Sequence, residues 1–314
     1  MTGYADDWFE VKENILDGSN AYEAILENFW DQLSIISRSK PYMLSPGNHE
    51  ADCTEIPLQN LLCPEGQKNF TDFRNRFTMP FADVSTSSNQ TAAMLRQQAK
   101  QLAQPPFWFS FDSGMVHVTM IDTETDFPNA PDAPGGSASL NSGPFGRAMQ
   151  QLDFLKADLA SVDRRITPWV LVAGHRPWYS VDSTSGGEGC KPCQAAFEDI
   201  LYQYGVDLAI FGHVHNSQRY DPIYNGTVDP AGLKDPKAPM YIVAGGAGNI
   251  EGLTKVKSQT NAGVPFVYDA DYSYGRITFQ DKNNLQVQFI RSQDDSVLDT
   301  SVLYKSHADA FVSQ

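Results

Sequence analysis

Three short apolar runs in this chain end in the same way, in a glycine-bearing turn that presents histidine. Tyr42-Met43-Leu44 passes through Ser45-Pro46-Gly47 into Asn48-His49-Glu50. Val170-Leu171-Val172-Ala173 meets Gly174-His175. Leu208-Ala209-Ile210-Phe211 meets Gly212-His213-Val214-His215. Each run reads as a buried strand. Glycine after it permits positive φ and close backbone approach, so the next side chain can turn into a shared crevice. A fourth run, Tyr241-Ile242-Val243, ends in a glycine loop without histidine. Ligands of open α/β sheets gather beyond the carboxyl ends of strands. Four of the six histidines stand at such positions, which points to a metal site, since imidazole suits transition metals. His213 and His215 can act together if the backbone between them is extended. His117 alternates within an apolar strand and is expected to pack, and His307 is expected to face solvent.

Helical patterns separate these runs. Asn20 to Glu23 has the form of a capping box, followed by apolar residues at helical spacing to Ile36, so a helix is expected over 21–38. Met149, Leu152, Leu155 and Leu159 mark a second helix. Phe197, Ile200, Leu201 and Tyr204 mark a third, stopped by Gly205. Residues 54–105 read as exposed loop with one short helix. Residues 115–121 alternate behind a turn at Asp112-Ser113-Gly114, and the tail over 274–304 reads as a hairpin or meander. Strand–helix units interleaved with hairpins favour a layered α/β sandwich over a purely parallel sheet.

Charge narrows the function classes. With 23 basic against 38 acidic residues, the net charge is −15, a poor match for a phosphate backbone, so no nucleic-acid partner is expected. No apolar run reaches the ~20 residues of a membrane span, so no membrane partner is expected either. The first residues have no basic and apolar pattern of a signal peptide. Cys53 and Cys63 bracket a short loop and Cys190 and Cys193 form a C-x-x-C pair. Local pairing into two disulfides is the expected arrangement, with a zinc site built from both pairs as the alternative. Sequons at Asn69, Asn89 and Asn225 accompany them. Together they favour a secreted, oxidising context.

The blocks "GNHE", "AGHRPWYS" and "GHVH", in that order, resemble the last three metal-binding blocks of the calcineurin-like metallophosphoesterases. "GYADDW", "FWFSFDSG", "IDTETDF" and "YGRITF" extend the resemblance over nearly the whole chain, to purple acid phosphatases of the fungal type. The resemblance implies an α/β/β/α sandwich over residues 1–314 and a dinuclear centre of Fe(III) with Zn, Mn or Fe(II). It implies that Asn48, His175 and His213 bind the divalent ion, that Tyr4 and His215 bind Fe(III), and that His49 serves the phosphate or the leaving group. The activity implied is hydrolysis of small phosphomonoesters by attack of a metal-bound hydroxide.

The chain departs from the family pattern in its first residues. The family's GDxG block and N-terminal β-sandwich domain are absent from it, and the GDxxY aspartate position falls on Met1. The histidine pair that plant relatives carry after the "HRPWYS" position has no counterpart. The expectation is an N-terminally truncated phosphoesterase domain that binds about one divalent ion, weakly, without the tyrosinate colour. The alternative reading is a catalytically dead module that binds a ligand or partner.

Overall fold

The computed structural model describes residues 18–51, 66, 68–80, 89–132, 142–181, 189–248, 252–256 and 263–307, with the side chains of residues 18–25 excepted. Tyr4, Cys53 and Cys63 lie outside the described residues.

Helix α1 (Gly18–Ser37) opens the described chain. It starts two residues before Asn20, so Asn20 sits in its first turn and does not cap it. Helices α2 (Asn48–Ala51), α3 (Thr71–Arg76) and α4 (Gln90–Leu102) precede the hairpin of β1 (Phe109–Ser113) and β2 (Val116–Met120). The 13 residues of α4 exceed the short helix expected there. Its start is fixed by Asn89, whose side-chain oxygen accepts from the Thr91 and Ala92 amides.

Next come α5 (Gln150–Ser161), β3 (Trp169–Ala173), α6 (Lys191–Gln203) and β4 (Leu208–Phe211). Two β-α-β crossovers thus lay β2, β3 and β4 side by side in parallel. Gly205 takes φ 66° just after α6, as the sequence indicated. Strand β5 (Ser217–Arg219) leads to the small hairpin of β6 (Ile223–Tyr224) and β7 (Thr227–Val228). Then follow β8 (Met240–Ala244), β9 (Phe266–Tyr268) and an antiparallel meander of β10 (Ser273–Phe279), β11 (Asn284–Arg291) and β12 (Val297–Tyr304).

Seven strands form one mixed sheet in the order β1-β2-β3-β4-β8-β5-β9, and β10-β11-β12 form a second sheet. The core lies on both faces of the larger sheet. On one face Val170, Val172, Ala209 and Tyr241 meet Phe154, Leu155, Phe197 and Leu201 of the helices. On the other, Trp169, Leu171, Leu208, Met240 and Ile242 meet Leu285, Val287, Phe289 and Leu303 of the smaller sheet. Alternation along each central strand therefore feeds two apolar layers, which is why these strands read as continuous apolar runs. Each fully buried Leu, Phe or Val contributes about 1.5–3 kcal/mol.

Two expectations fail here. Residues 42–44 form no strand; Met43 and Leu44 pack against Phe109 and Met120. Their side chains find the sheet's apolar edge, but their backbone joins no ladder. His307 is buried against Trp169, with ring centroids 4.8 Å apart, and its Nε2 lies 3.6 Å from Asp207 Oδ1. A buried carboxylate draws in the polar tail that composition alone assigns to solvent.

Candidate functional site

The turns after β3 and β4 are tied to each other and to the loop after β2. The His175 and Arg176 amides both donate to Thr123 Oγ1, at 3.1 and 2.7 Å. The Gly212 amide donates to the His175 carbonyl at 2.9 Å. From the other side comes the turn 45–50, folded back on itself by Glu50. Its buried carboxylate accepts from the Gly47 amide at 2.8 Å, the reciprocal half of a capping box. Glu50 is thereby a turn-former in the Asn-His-Glu cluster.

This framework brings three donor atoms to one point. Asn48 Oδ1 lies 2.7 Å from His175 Nε2 and 3.2 Å from His213 Nδ1, and the two ring nitrogens are 3.1 Å apart. Glycine makes the approach feasible at two places. A Cβ on Gly47 would stand 2.8 Å from the His175 ring, and one on Gly245, in the loop after β8, would stand 2.0 Å from the Val214 carbonyl oxygen. The turn after β4 is bent, so the extended backbone on which joint action of His213 and His215 would depend is not present. His213 itself holds φ 62°, while Gly212 has no positive φ. A non-glycine residue in that region costs of order 1–3 kcal/mol. The bend turns His213 Nδ1 toward Asn48.

His49 and His215 do not join this contact. They lie near enough for their charge to disfavour protonation of the pair: His49 acts on both rings and His215 on His213. The His215 backbone is held by Thr254, through N–H to Oγ1 at 3.2 Å and carbonyl to N–H at 3.0 Å. Tyr4 is outside the described residues.

Burial is the main force on the two converging rings. It holds His175 and His213 well below the ordinary histidine range, helped at His175 by His213 and Arg176 and at His213 by Arg176. Neutral rings offer lone pairs. Two imidazole nitrogens and an amide oxygen within about 3 Å of one another suit three ligands of one divalent ion, whose bonds near 2.1 Å put neighbouring ligand atoms about that far apart. Among the described residues, no group of three His, Cys, Asp or Glu side chains could hold a metal ion. The converging trio owes its third member to an asparagine amide and carries no charge of its own.

Arg176, Thr123, Glu124 and Asp132 build the rest of the site, and sequence reasoning did not single them out. Arg176 Nε donates to Glu124 Oε2 at 2.7 Å, and its Nη1 lies 3.3 Å from His213 Nε2. Glu124, Asp122 and Asp132 are fully buried behind it. Burial, then the neighbouring Glu124, pushes Asp132 up to about 10 and Asp122 well above the carboxylate range. Glu124 is left as the ion-pair partner of Arg176. For Thr123, Glu124 and Arg176 a signal was present in "IDTETDF" and "HRPWYS", where polar and charged residues follow strand ends; Asp132 lies in neither.

His117, expected merely to pack, sits among charges. Its Nδ1 is 2.6 Å from Asp112 Oδ1 and its Nε2 is 2.9 Å from Asp158 Oδ2, with Arg96 Nη1 3.1 Å from Asp158 Oδ1. The Cys190–Cys193 disulfide is present, with Sγ atoms 1.97 Å apart.

Comparison with known proteins gives the family of the chain. The calcineurin-like phosphoesterase family model matches residues 7–217, and the iron/zinc purple acid phosphatase-like protein C model matches residues 238–300. The chain is 61% identical to acid phosphatase A of Cryphonectria parasitica over 318 residues, covering 99% of this chain and 62% of that protein. It is 29% identical to purple acid phosphatase 21 of Arabidopsis thaliana over 285 residues, covering 90% of this chain and 54% of that protein. It thus spans between half and two thirds of the length of these relatives. The structure of purple acid phosphatase PPD1 from yellow lupin seeds superposes with a TM-score of 0.65 at 21% identity, covering 99% of this chain and 51% of that one. That likeness shows the fold. The chain belongs to the calcineurin-like phosphoesterase family and has its layered α/β architecture.

Proposed function

We propose that this chain carries the hydrolytic site of a metal-dependent acid phosphatase acting on small phosphomonoesters. The observation that carries the reading is the meeting of Asn48 Oδ1, His175 Nε2 and His213 Nδ1 within 3.2 Å. These three would hold one divalent ion, zinc, manganese or iron. His215 and Tyr4 would belong to a neighbouring Fe(III) position, as the family resemblance implies. When bound, the metals supply positive charge to the phosphoryl oxygens and acidify the attacking water.

The chain's own residues do the positioning. Neutral His175 and His213 keep their lone pairs available down to acidic pH, because protonation of either would bury a charge beside Arg176. The uncharged Asn48 leaves the site more positive than a carboxylate would, which favours an anionic ester. His49, on the same turn as Asn48, is placed to serve the leaving oxygen. A secreted, glycosylated protein fits the Cys190–Cys193 disulfide and the exposed sequon asparagines Asn69, Asn89 and Asn225. Among the described residues no helix is long and apolar enough to cross a membrane.

The test is to measure bound metal and p-nitrophenyl phosphate hydrolysis at pH 5 on the same preparation. Hydrolysis that scales with metal content is expected. Metal and phosphate binding with no turnover would replace this reading with that of a binding module.

A further inference from the structure

A cleft of about 420 Å³ opens beside His213. Pro131, Pro177 and Pro192 line it, together with Arg176 and Lys191. The Asn48–His175–His213 contact makes no use of this space, yet both of its sides are built with care.

Arg176 is held from behind. Its Nε bonds Glu124 and its Nη2 lies 3.6 Å from Asp132 Oδ2; both carboxyl groups are fully buried, while the guanidinium keeps 15% exposure. Enclosing carboxyl groups in this way costs stability that apolar packing would not, and what it achieves is a guanidinium fixed at the cleft wall. The part of the lining formed by residues 189–192 is pinned as well. The disulfide between Cys190 and Cys193 brackets Lys191 and Pro192. The Cys190 amide donates to the Pro177 carbonyl at 2.8 Å. A Cβ on Gly189, whose φ is 61°, would stand 2.4 Å from the Trp178 carbonyl oxygen, so glycine is what lets this wall lie so close. Prolines stiffen the lining and bring no amide donors. The result is a stiff, proline-lined cleft beside His213 with Arg176 and Lys191 among its lining residues, within the size range of small-molecule pockets.

Resting on the reading of the trio as a phosphoester site, we propose that this cleft receives the leaving-group half of the substrate, and that Arg176 and Lys191 bind a second phosphate on it. The preferred substrates are then small phosphomonoesters that carry a second phosphate. A phosphate dianion offers more charge and more acceptor oxygens to Lys191 and Arg176 than a carboxylate does, and its oxygens match the forked donors of a guanidinium. On a chain of net charge −15 such a local cationic pair matters more, because the long-range field repels anions.

The test uses phosphonates, whose P–C bonds cannot be hydrolysed, so binding is read apart from turnover. Calorimetry compares propane-1,3-bisphosphonate with propylphosphonate on the full chain and on Lys191→Glu, a substitution at an exposed position. The bisphosphonate should bind at least about tenfold more tightly, the scale of charge-assisted bonds, and Lys191→Glu should bring that ratio to about one. A ratio near one in the unaltered chain, or a ratio that Lys191→Glu leaves intact, overturns the second-phosphate subsite alone. Failure to bind either phosphonate removes the phosphoester reading and the subsite with it.

Discussion

Two sets of histidines in one sheet meet opposite fates. His117 lies within β2, between Asp112 and Asp158; His175 and His213 stand at the ends of β3 and β4 beside Arg176. Burial opposes the charged form in all three. At His117 the opposition is outweighed by Asp158, through charge and hydrogen bond, and by the bond to Asp112, so its pKa is raised despite Arg96. At the other two the main influences besides burial are cationic or histidine neighbours, and the pKa falls. Neighbours, and not burial, thus separate a histidine that holds the fold together as a cation from a pair that stays neutral and able to bind metal.

The largest effect is expected where the cationic cluster is broken. Asp158 is fully buried and faces Arg96, His117, Ser110 and Thr119. Burial works against its charge, but His117 and Arg96 overcome it and hold its carboxyl below the usual range. Asp158→Leu leaves His117 and Arg96 to share Asp112 and should cost about 3–5 kcal/mol, read as a fall in the chemical-denaturation midpoint. A loss under about 1 kcal/mol would mean that the cluster is not charged. At the neutral pair, His213→Ala should keep the fold but lower phosphate-ester hydrolysis by more than about hundredfold, since even outer partners of a metal ligand are worth 10–100-fold. Unchanged metal content in that variant would remove His213 from the site. A smaller change tests the approach of the two turns. Gly47→Ala puts a methyl 2.8 Å from the His175 ring, and a loss of about tenfold in metal affinity is expected from the displaced ligand, with little change in unfolding.

These contrasts also show what sequence could carry. The strand runs at 170–173, 208–211 and 241–243 were legible because strands buried on both faces leave continuous apolar segments. The hairpin at 109–120 and the meander at 273–304 were legible by alternation. Residues 42–44 misled because an apolar segment can pack on a sheet edge without joining its ladder. Asn48, His175 and His213 stood out by their glycine turns, and the structure brings them together. The bent backbone at His213 was hidden, since positive φ was assigned to glycine. Arg176, Glu124 and Asp132 were missed for another reason: their ion pairs, across 44 and 52 residues, leave no periodic trace. His117 and His307 were misjudged alike, because a partner such as Asp158 or Asp207 is set by tertiary packing.

The smallest expected effect is on the pH dependence of stability. The raised pKa of His117 contributes stability in full below the unfolded value near 6.5, and that contribution is lost as pH rises through the folded value. The lowered pKa of Asp158 contributes above about 4 and is lost as pH falls through its folded value. The cluster therefore stabilises most between these limits, in mildly acidic solution. His175 and His213 act in the opposite sense, since refusing a proton costs stability as pH falls below their unfolded value. In His117→Gln the stability measured from pH 5 to 7 should rise more steeply with pH than in the unaltered chain. An unchanged slope would show that His117 does not titrate differently on folding.

The contrast itself is measured most directly by nitrogen-15 NMR of the histidine rings through a pH titration, repeated with Zn²⁺. The account predicts that His117 is an imidazolium at pH 6.5 and ignores zinc. His175 and His213 should remain neutral well below that pH, and zinc should shift His175 Nε2 and His213 Nδ1. Protonated His175 and His213 at pH 6.5, or zinc shifts that spare both nitrogens, would contradict it.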